Sequence, residues 1–107
     1  MDLTELLSNC NGFDWDKGNL EKNWVKHRVS QQECEQVFFN EPLAFFEDAT
    51  HSAEENRYFA LGRTDLGRVL AVTFTVRKSQ IRVISARDMD QKERRDYKSY
   101  EKENPSF

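Results

Sequence analysis

The stretch that most constrains the fold of this chain lies between Val69 and Tyr97. It contains two runs, residues 69–76 and 80–87, that are rich in Val, Ile, Thr and Phe. This composition is typical of strands in a half-buried sheet, and the three residues between the runs predict a tight antiparallel hairpin. Asp90 follows, with Glu93 three positions later, a spacing typical of a capping box at the start of a helix.

Basic residues are concentrated on the same stretch. They include Arg77, Arg82, Arg87, Lys92, Arg94 and Arg95. A sheet that buries apolar residues while presenting several guanidinium groups is suited to binding an anion. Charge is also divided along the chain: residues 1–56 carry −8 and residues 57–98 carry +6, within a net charge of −3. Such asymmetry indicates a charged partner, although a solvated sheet face with mixed charges gives the same pattern.

Length and composition indicate a single cytoplasmic domain. With 107 residues and 33% charged residues, the chain is long enough for one core. We expect no transmembrane helix, because no run approaches the necessary length of about 18 apolar residues, and no secretory signal at the N-terminus. The two cysteines, Cys10 and Cys34, lack the CxxC spacing, which predicts a reduced protein without disulfides.

The first half of the chain is predicted to be mainly helical. Asp16 is a plausible N-cap for a helix through about His27, with Leu20 and Trp24 on its buried side. Asn23, Lys26 and His27 share one face of that helix. Residues 30–33 form a second capping box, followed by a helix with an apolar stripe at Cys34, Val37 and Phe38.

The remaining elements complete an α+β pattern. Residues 13–15 could add a short edge strand, residues 43–47 and 57–62 are predicted strands, and residues 48–56 form an acidic loop that contains His51. The C-terminal helix is expected to end near Glu101. The predicted order is β-α-α-β-β-β-β-α, with a four-stranded antiparallel meander and the helices packed on one face. Residues 1–12 would be an N-terminal extension, either one helical turn or disordered, residues 13–101 the domain, and residues 102–107 a tail.

The ordered motifs resemble the BrnT-type toxins of bacterial type II toxin–antitoxin systems. The likeness covers roughly residues 13–97 and rests on the following positions: Phe13-Asp14-Trp15-Asp16, Asn23, Lys26-His27, Val29-Ser30, Glu33, Val37-Phe38, Pro42, Glu55, Arg57, Gly62, Gly67, Leu70, Arg77, Ile81-Arg82-Val83-Ile84-Ser85-Ala86-Arg87, Glu93-Arg94 and Tyr97. Arg28 stands where the family commonly has Gly, a residue suited to ending a helix in a left-handed conformation.

The resemblance implies a RelE-like fold and an endoribonuclease that cleaves RNA and inhibits translation. It also implies neutralisation by a BrnA-type ribbon-helix-helix antitoxin, with promoter DNA bound only through that partner. The alternative is a catalytically weak toxin-fold module that acts as a co-repressor with its antitoxin. No cofactor is expected.

Metal-free RNA cleavage needs a base for the ribose 2′-hydroxyl, cations for the developing phosphorane charge and an acid for the leaving oxygen. His27 is the natural base or acid, since imidazole titrates near neutrality. Lys26, Arg77 and Arg87 are the further candidate catalytic residues. Arg82 is five positions from Arg87, so in a regular strand the two point to opposite faces and only one joins the site unless a bulge intervenes.

Arg57, Arg82, Arg94 and Tyr97 are candidate RNA- or phosphate-binding residues. Three of the candidate catalytic and binding residues also have a purely structural interpretation. His27 could hydrogen-bond across a helix end, Arg57 could form a surface ion pair, and Tyr97 could be a helix-packing aromatic. Cys34 is expected to be a core residue. A zinc site at His51 is not expected, because the other ligands lack suitable spacing.

Overall fold

The computed structural model describes residues 3–48 and 55–104. His51 of the predicted acidic loop and residues 105–107 of the predicted tail lie outside them. The elements are α1 (Leu3–Ser8), α2 (Lys17–His27), α3 (Gln31–Phe39), β1 (Ala44–Glu47), β2 (Tyr58–Arg63), β3 (Val69–Arg77), β4 (Gln80–Asp88) and α4 (Gln91–Glu103). Within the described ranges, no helix is both long and apolar enough to cross a membrane.

The four strands form one antiparallel sheet in the order β1-β2-β3-β4. The predicted hairpin is confirmed, and its strands pair from Arg77 with Gln80 to Leu70 with Asp88. Its two turn residues, Lys78 and Ser79, both have positive φ, at 51° and 62°. Positive φ at both central residues is the geometry that matches the right-handed twist of a two-residue hairpin. Here it is adopted without glycine.

The helices cover both faces of the sheet. Leu70 and Val72 of β3 belong to a core that also includes Val29 and Val37, so α3 and the segment before it cover this face. Ala71, between them in sequence, packs in a second cluster with Tyr97 of α4. The α+β class and the meander are confirmed. Packing of all helices on one face was expected, but alternate residues of the central strands are apolar on both sides, and α4 covers the second face.

Helix α3 lies very close to β2 at Gly62. A Cβ added at this position would stand 2.7 Å from Cγ1 of Val37. No real side chain fits at that separation without displacing the helix, so the glycine sets the distance between helix and sheet. The capping box that starts α3 is confirmed: Ser30 Oγ accepts from the Glu33 N–H, and Glu33 Oε1 accepts from the Ser30 N–H.

The buried side of α2 differs from the prediction. Trp24 was expected to be buried but is 49% exposed, whereas Asn23 is 1% exposed. The Oδ1 atom of Asn23 accepts a hydrogen bond from the backbone N–H of Ala86 at 3.2 Å. Helix α2 therefore turns an amide rather than an indole towards the sheet, because β4 is an outer strand whose backbone groups need partners.

The outer edge of β4 is covered along most of its length. Residues 13–15 do not form a full strand; they contribute one isolated bridge, between Phe13 and Ile81. Around this bridge the Ile81 N–H donates to Gly12 O, and the Asp14 N–H donates to Ile81 O, both at 2.9 Å. Further along, Asn19 Nδ2 donates to Val83 O at 3.4 Å. The strand is thereby closed to pairing with another chain over these residues.

Candidate functional site

The end of α2 carries His27 and Lys26 and stops in an unusual turn. Asp16 is the N-cap, as predicted, and Arg28 is the C-cap with φ 54° and ψ 39°. This is the left-handed region, which favours glycine, so arginine adopts here a conformation that glycine would take more easily. The Arg28 N–H donates to Trp24 O at 2.9 Å, and the Arg28 guanidinium lies 5.4 Å from the centre of the Trp24 ring.

Arg68 connects this helix end to the end of β4. Its Nη1 and Nη2 atoms donate to the carbonyl oxygens of Arg28 at 2.7 Å and His27 at 3.0 Å. On its other side, Nε and Nη2 donate to both carboxylate oxygens of Asp88, at 2.8 and 3.2 Å. Nη1 also donates to Glu33 at 3.0 Å. His27 is thus placed beside the strand end that carries Arg87.

The C-terminus of α2 and the end of β4, joined by Arg68, form a corner of the fold. The electrostatics of this corner follow from the same contacts. Hydrogen bonding from Arg68 is the main cause that lowers the pKa of Asp88, and the charges of Arg94 and His27 act in the same direction. Burial tends to raise the pKa of Glu33, but hydrogen bonds from Ser30 and Arg68 outweigh it and lower the pKa overall. Both carboxylates therefore stay ionised at neutral pH. The cationic side chains that act on Asp88 are those of Arg68, Arg94 and, when protonated, His27, and Arg68 also acts on Glu33.

Arg87 is held by the first turn of α4. Its Nη1 and Nη2 atoms donate to the two carboxylate oxygens of Glu93, at 2.7 and 3.0 Å. This bond is the main cause that raises the pKa of Arg87. Glu93 also accepts from the Asp90 N–H, and Asp90 accepts from the Glu93 N–H, which confirms the predicted capping box. Arg87 is 40% exposed in its side chain, so an incoming phosphate can reach it.

A bulge in β4 changes the relation between Arg82 and Arg87. Thr73 pairs with Ser85 and Phe74 pairs with Val83, so Ile84 is left without a partner. Arg82 is then opposite Thr75 and Arg87 opposite Ala71, two positions on the same face of β3. Arg82 does not join the corner, however, because its guanidinium is bound to Asp14 at 3.1 Å and Asp16 at 2.9 Å.

Arg77 lies at the opposite end of the hairpin from His27 and Arg87. Its Nε and Nη2 atoms donate to Glu55 at 2.9 and 2.8 Å. Six positions separate it along β3 from Ala71, the partner of Arg87, which is roughly 20 Å of strand. Arg57, two positions after Glu55, lies on this side as well, where its carbonyl accepts from the Asp48 N–H. The structure therefore separates Arg77 from the other three candidate catalytic residues.

Two further candidates differ in their accessibility. Arg94 is exposed in the first turns of α4, and its Nε donates to Met89 O at 3.1 Å. Tyr97 is 4% exposed, and its hydroxyl donates to Pro42 O at 2.6 Å. Burial is the main cause that raises the pKa of Tyr97 to about 12. Tyr97 thus packs α4 against the sheet, and its ring offers no free face for a base.

Cys34 is buried at 1% exposure in the core, and burial raises the pKa of its thiol to about 12. It is a core residue, as expected. Among residues 3–48 and 55–104, no group of three or more His, Cys, Asp or Glu side chains is arranged to hold a metal ion.

A family model described as the ribonuclease toxin, BrnT, of type II toxin–antitoxin systems matches residues 15–93. The chain belongs to the BrnT family. Membership implies RNA as the class of substrate and an antitoxin as partner. No curated protein sequence matches the chain.

A solved structure supports the same fold. The chain is similar to the ribonuclease toxin BrnT of Brucella abortus, with a TM-score of 0.58 and 24% identity; the match covers 75% of this chain and 97% of the other. The α+β architecture with its four-stranded antiparallel sheet thus matches the fold of a solved BrnT toxin. At this level of identity the likeness concerns the fold alone.

Arg68 is the residue of the corner that was not identified from the sequence. It follows Gly67, and nothing in its local pattern distinguishes it from other surface arginines. Its partners are 20 to 41 positions away.

Proposed function

We propose that this chain is an active, metal-independent endoribonuclease toxin that acts in the cytoplasm, inhibits translation and is neutralised by a BrnA-type antitoxin. The observation that carries the proposal is that Arg68 binds both the carbonyl oxygen of His27, at the end of α2, and Asp88, which directly follows Arg87 at the end of β4. An imidazole beside several guanidinium groups is the set of groups that RNA cleavage without metal requires.

The roles of the residues follow from their chemistry. His27 accepts the proton of the ribose 2′-hydroxyl or donates one to the leaving 5′-oxygen. The 2′-oxygen then forms a bond to phosphorus as the bond to the 5′-oxygen breaks, leaving a cyclic phosphate and a free hydroxyl. Arg87 binds two phosphate oxygens in the way it binds the two oxygens of Glu93. Lys26 and Arg94, which are both exposed, stabilise the negative charge that develops on the phosphate.

Arg57, Arg77 and Arg82 have a different place in this proposal. They lie towards the hairpin turn and the outer edge of β4, away from the corner. Arg57 and Arg77 are proposed to contact the RNA backbone beyond the cleaved bond. Arg82 is proposed to fix the start of α2, since it binds Asp16, the N-cap of that helix.

The test is cleavage of purified RNA by the isolated protein in EDTA, with His27→Ala as the site variant. Glu21→Ala, an exposed change on the same helix, is the matched control. We expect cleavage by the wild type and the control, and a loss of at least about a hundredfold for His27→Ala. Addition of the antitoxin encoded beside the toxin should abolish cleavage. Equal rates for His27→Ala and the wild type would overturn the assignment of His27.

The second candidate function is a weakly catalytic co-repressor, and one feature of the structure favours it. In the part of the chain that the structure describes, arginines are already bound to carboxylates: Arg63 to Glu101, Arg68 to Asp88 and Glu33, Arg77 to Glu55, Arg82 to Asp14 and Asp16, and Arg87 to Glu93. RNA must compete with these carboxylates. A protein that neither cleaves RNA nor arrests growth, yet strengthens promoter binding by its antitoxin, would be this second function.

A further inference from the structure

The guanidinium of Arg68 is saturated by the protein itself. Arginine has five N–H donors and no acceptor. Arg68 makes five hydrogen bonds, to Arg28 O, His27 O, Glu33 and both carboxylate oxygens of Asp88. No donor remains for a phosphate. Although Arg68 lies in the corner, it is not available to bind substrate.

These bonds join three elements at one point. The carbonyls of His27 and Arg28 stand at the C-terminus of α2, where unpaired C=O groups carry partial negative charge. Glu33 lies in the first turn of α3, and Asp88 is the last residue of β4. Arg68 and Glu33 are each 28% exposed in their side chains, so water screens their pair only in part. The ion pairs of Arg68 with the two carboxylates and its hydrogen bonds to the two carbonyls therefore both oppose separation of α2 from β4.

The left-handed turn at Arg28 makes this contact necessary. A non-glycine residue in that conformation is strained and persists only where its surroundings hold it. The Arg68 Nη1 bond to Arg28 O, at 2.7 Å, is the shortest of the five. This bond holds the carbonyl of Arg28, the residue with the strained backbone, and Arg28 directly follows His27.

We propose that Arg68 is a positioning residue that holds the His27 end of α2 against the Arg87–Asp88 end of β4 and so keeps the imidazole in register with the phosphate-binding arginine. The inference rests on the function proposed for His27 and Arg87. It assigns Arg68 no contact with RNA. Its effect on the reaction is carried entirely by the position of His27.

The experiment compares Arg68→Met with Arg63→Met. Arg63 forms a similar, partly exposed pair with Glu101, at 3.0 Å, and serves as the matched control outside the corner. Arg68→Lys is included because it keeps the charge but cannot make all five bonds. Steady-state cleavage is measured at 25 °C with the active fraction titrated by antitoxin, and the ring protons of His27 are observed by NMR.

We expect Arg68→Met to shift and broaden the His27 ring signals and to lower kcat by about 10- to 100-fold, the scale for a misplaced catalytic group. KM should change less than about twofold, since no substrate contact is lost. Arg63→Met should leave both readouts as in the wild type. Adding Arg28→Gly to Arg68→Met should recover part of kcat, because glycine holds the left-handed turn unaided.

The catalytic role proposed for His27 and the positioning role proposed for Arg68 can each fail separately. If His27→Ala is as active as the wild type, the proposed function fails, but the His27 signals still report whether Arg68 positions the ring. If Arg68→Met leaves those signals unchanged, the positioning role is overturned whatever the activity. A rise in KM with unchanged kcat would instead make Arg68 a substrate-binding residue. Should Arg68→Met not fold, Arg68→Lys and Asp88→Asn carry the same comparison.

Discussion

The two ends of the central hairpin are built from the same residue types but are organised differently. At the turn end, Arg77 binds Glu55 through one oxygen and is 50% exposed. At the other end, Arg87 binds both oxygens of Glu93, and a second arginine, Arg68, ties the strand to a helix terminus. The turn end is a surface ion pair. The other end is a set of linked bonds that fixes backbone carbonyls as well as side chains, so the difference lies in how firmly each end is held, not in its charge.

The sharpest way to test this contrast is to remove one arginine from each end. We expect Arg87→Ala to lower RNA cleavage by at least about a hundredfold, because it removes the bidentate phosphate contact beside His27. Arg77→Ala should lower it by less than about tenfold. Each variant leaves one carboxylate without its arginine, Glu93 in Arg87→Ala and Glu55 in Arg77→Ala, so each is the matched control of the other. Equal losses for the two would show that the RNA is cut along the whole hairpin face rather than at one corner.

The second prediction concerns the attachment of α2 to β4. Asn23→Ala leaves the buried N–H of Ala86 without its acceptor and should lower the free energy of unfolding by about 1–3 kcal/mol. Asn19→Ala, on the same helix, breaks only a 3.4 Å bond and should have a smaller effect. Urea unfolding measures both. A larger loss for Asn19→Ala would show that the contacts near the start of α2, not those at its end, hold the helix to the strand.

The third prediction uses pH to separate the two ends. The folded-state pKa of Asp88 is below its ordinary value of 3.8, so the folded protein binds fewer protons than the unfolded chain near that pH. This stabilisation is complete above about pH 4 and is lost as the pH falls through the folded pKa. Asp88→Asn should therefore lower Tm at pH 7, by an amount worth under about 1 kcal/mol because Asp88 is half exposed. The difference from the wild type should shrink as the pH falls below 3.8. A difference that stays constant over that range would exclude the ionised carboxylate as its source.

The smallest effect is expected at the turn end. Glu55→Gln removes the carboxylate of an exposed pair and should change the free energy of unfolding by less than about 0.5 kcal/mol. Thermal melts of this variant and Asp88→Asn, recorded side by side, make the comparison. A larger loss for Glu55→Gln would mean that the turn end is the more firmly held of the two.

What could be predicted from the sequence was governed by short-range rules. The capping residues Asp16, Ser30 and Asp90 each act within three positions along the chain, and all three are N-caps. The hairpin followed from composition and a short connection. Arg68 could not be identified, because its role depends on partners that only the fold brings near. Trp24 was placed on the buried side by helical spacing, but that spacing does not reveal that the facing edge of β4 requires an amide.

The site was predicted only in part for the same reason. His27, Lys26 and Arg87 were selected by chemistry and resemblance, and the fold brings their elements to one corner. Arg77 was selected by the same argument and lies at the far end, next to the turn of the hairpin. The sequence places Arg77 at that turn, but it does not show which end of the hairpin meets the C-terminus of α2. Whether each of these residues acts in cleavage stays a prediction until the variants are measured.

The unpaired Ile84 in β4 has a consequence for comparing this chain with other toxins of its kind. One residue is accommodated there without disturbing the pairing on either side. A relative whose last strand lacks the bulge would carry one residue fewer between the equivalents of Val83 and Ala86. An ungapped alignment would then match Arg87 to the wrong neighbour and make a preserved arginine look replaced. Matching the strands by their pairing partners avoids that error.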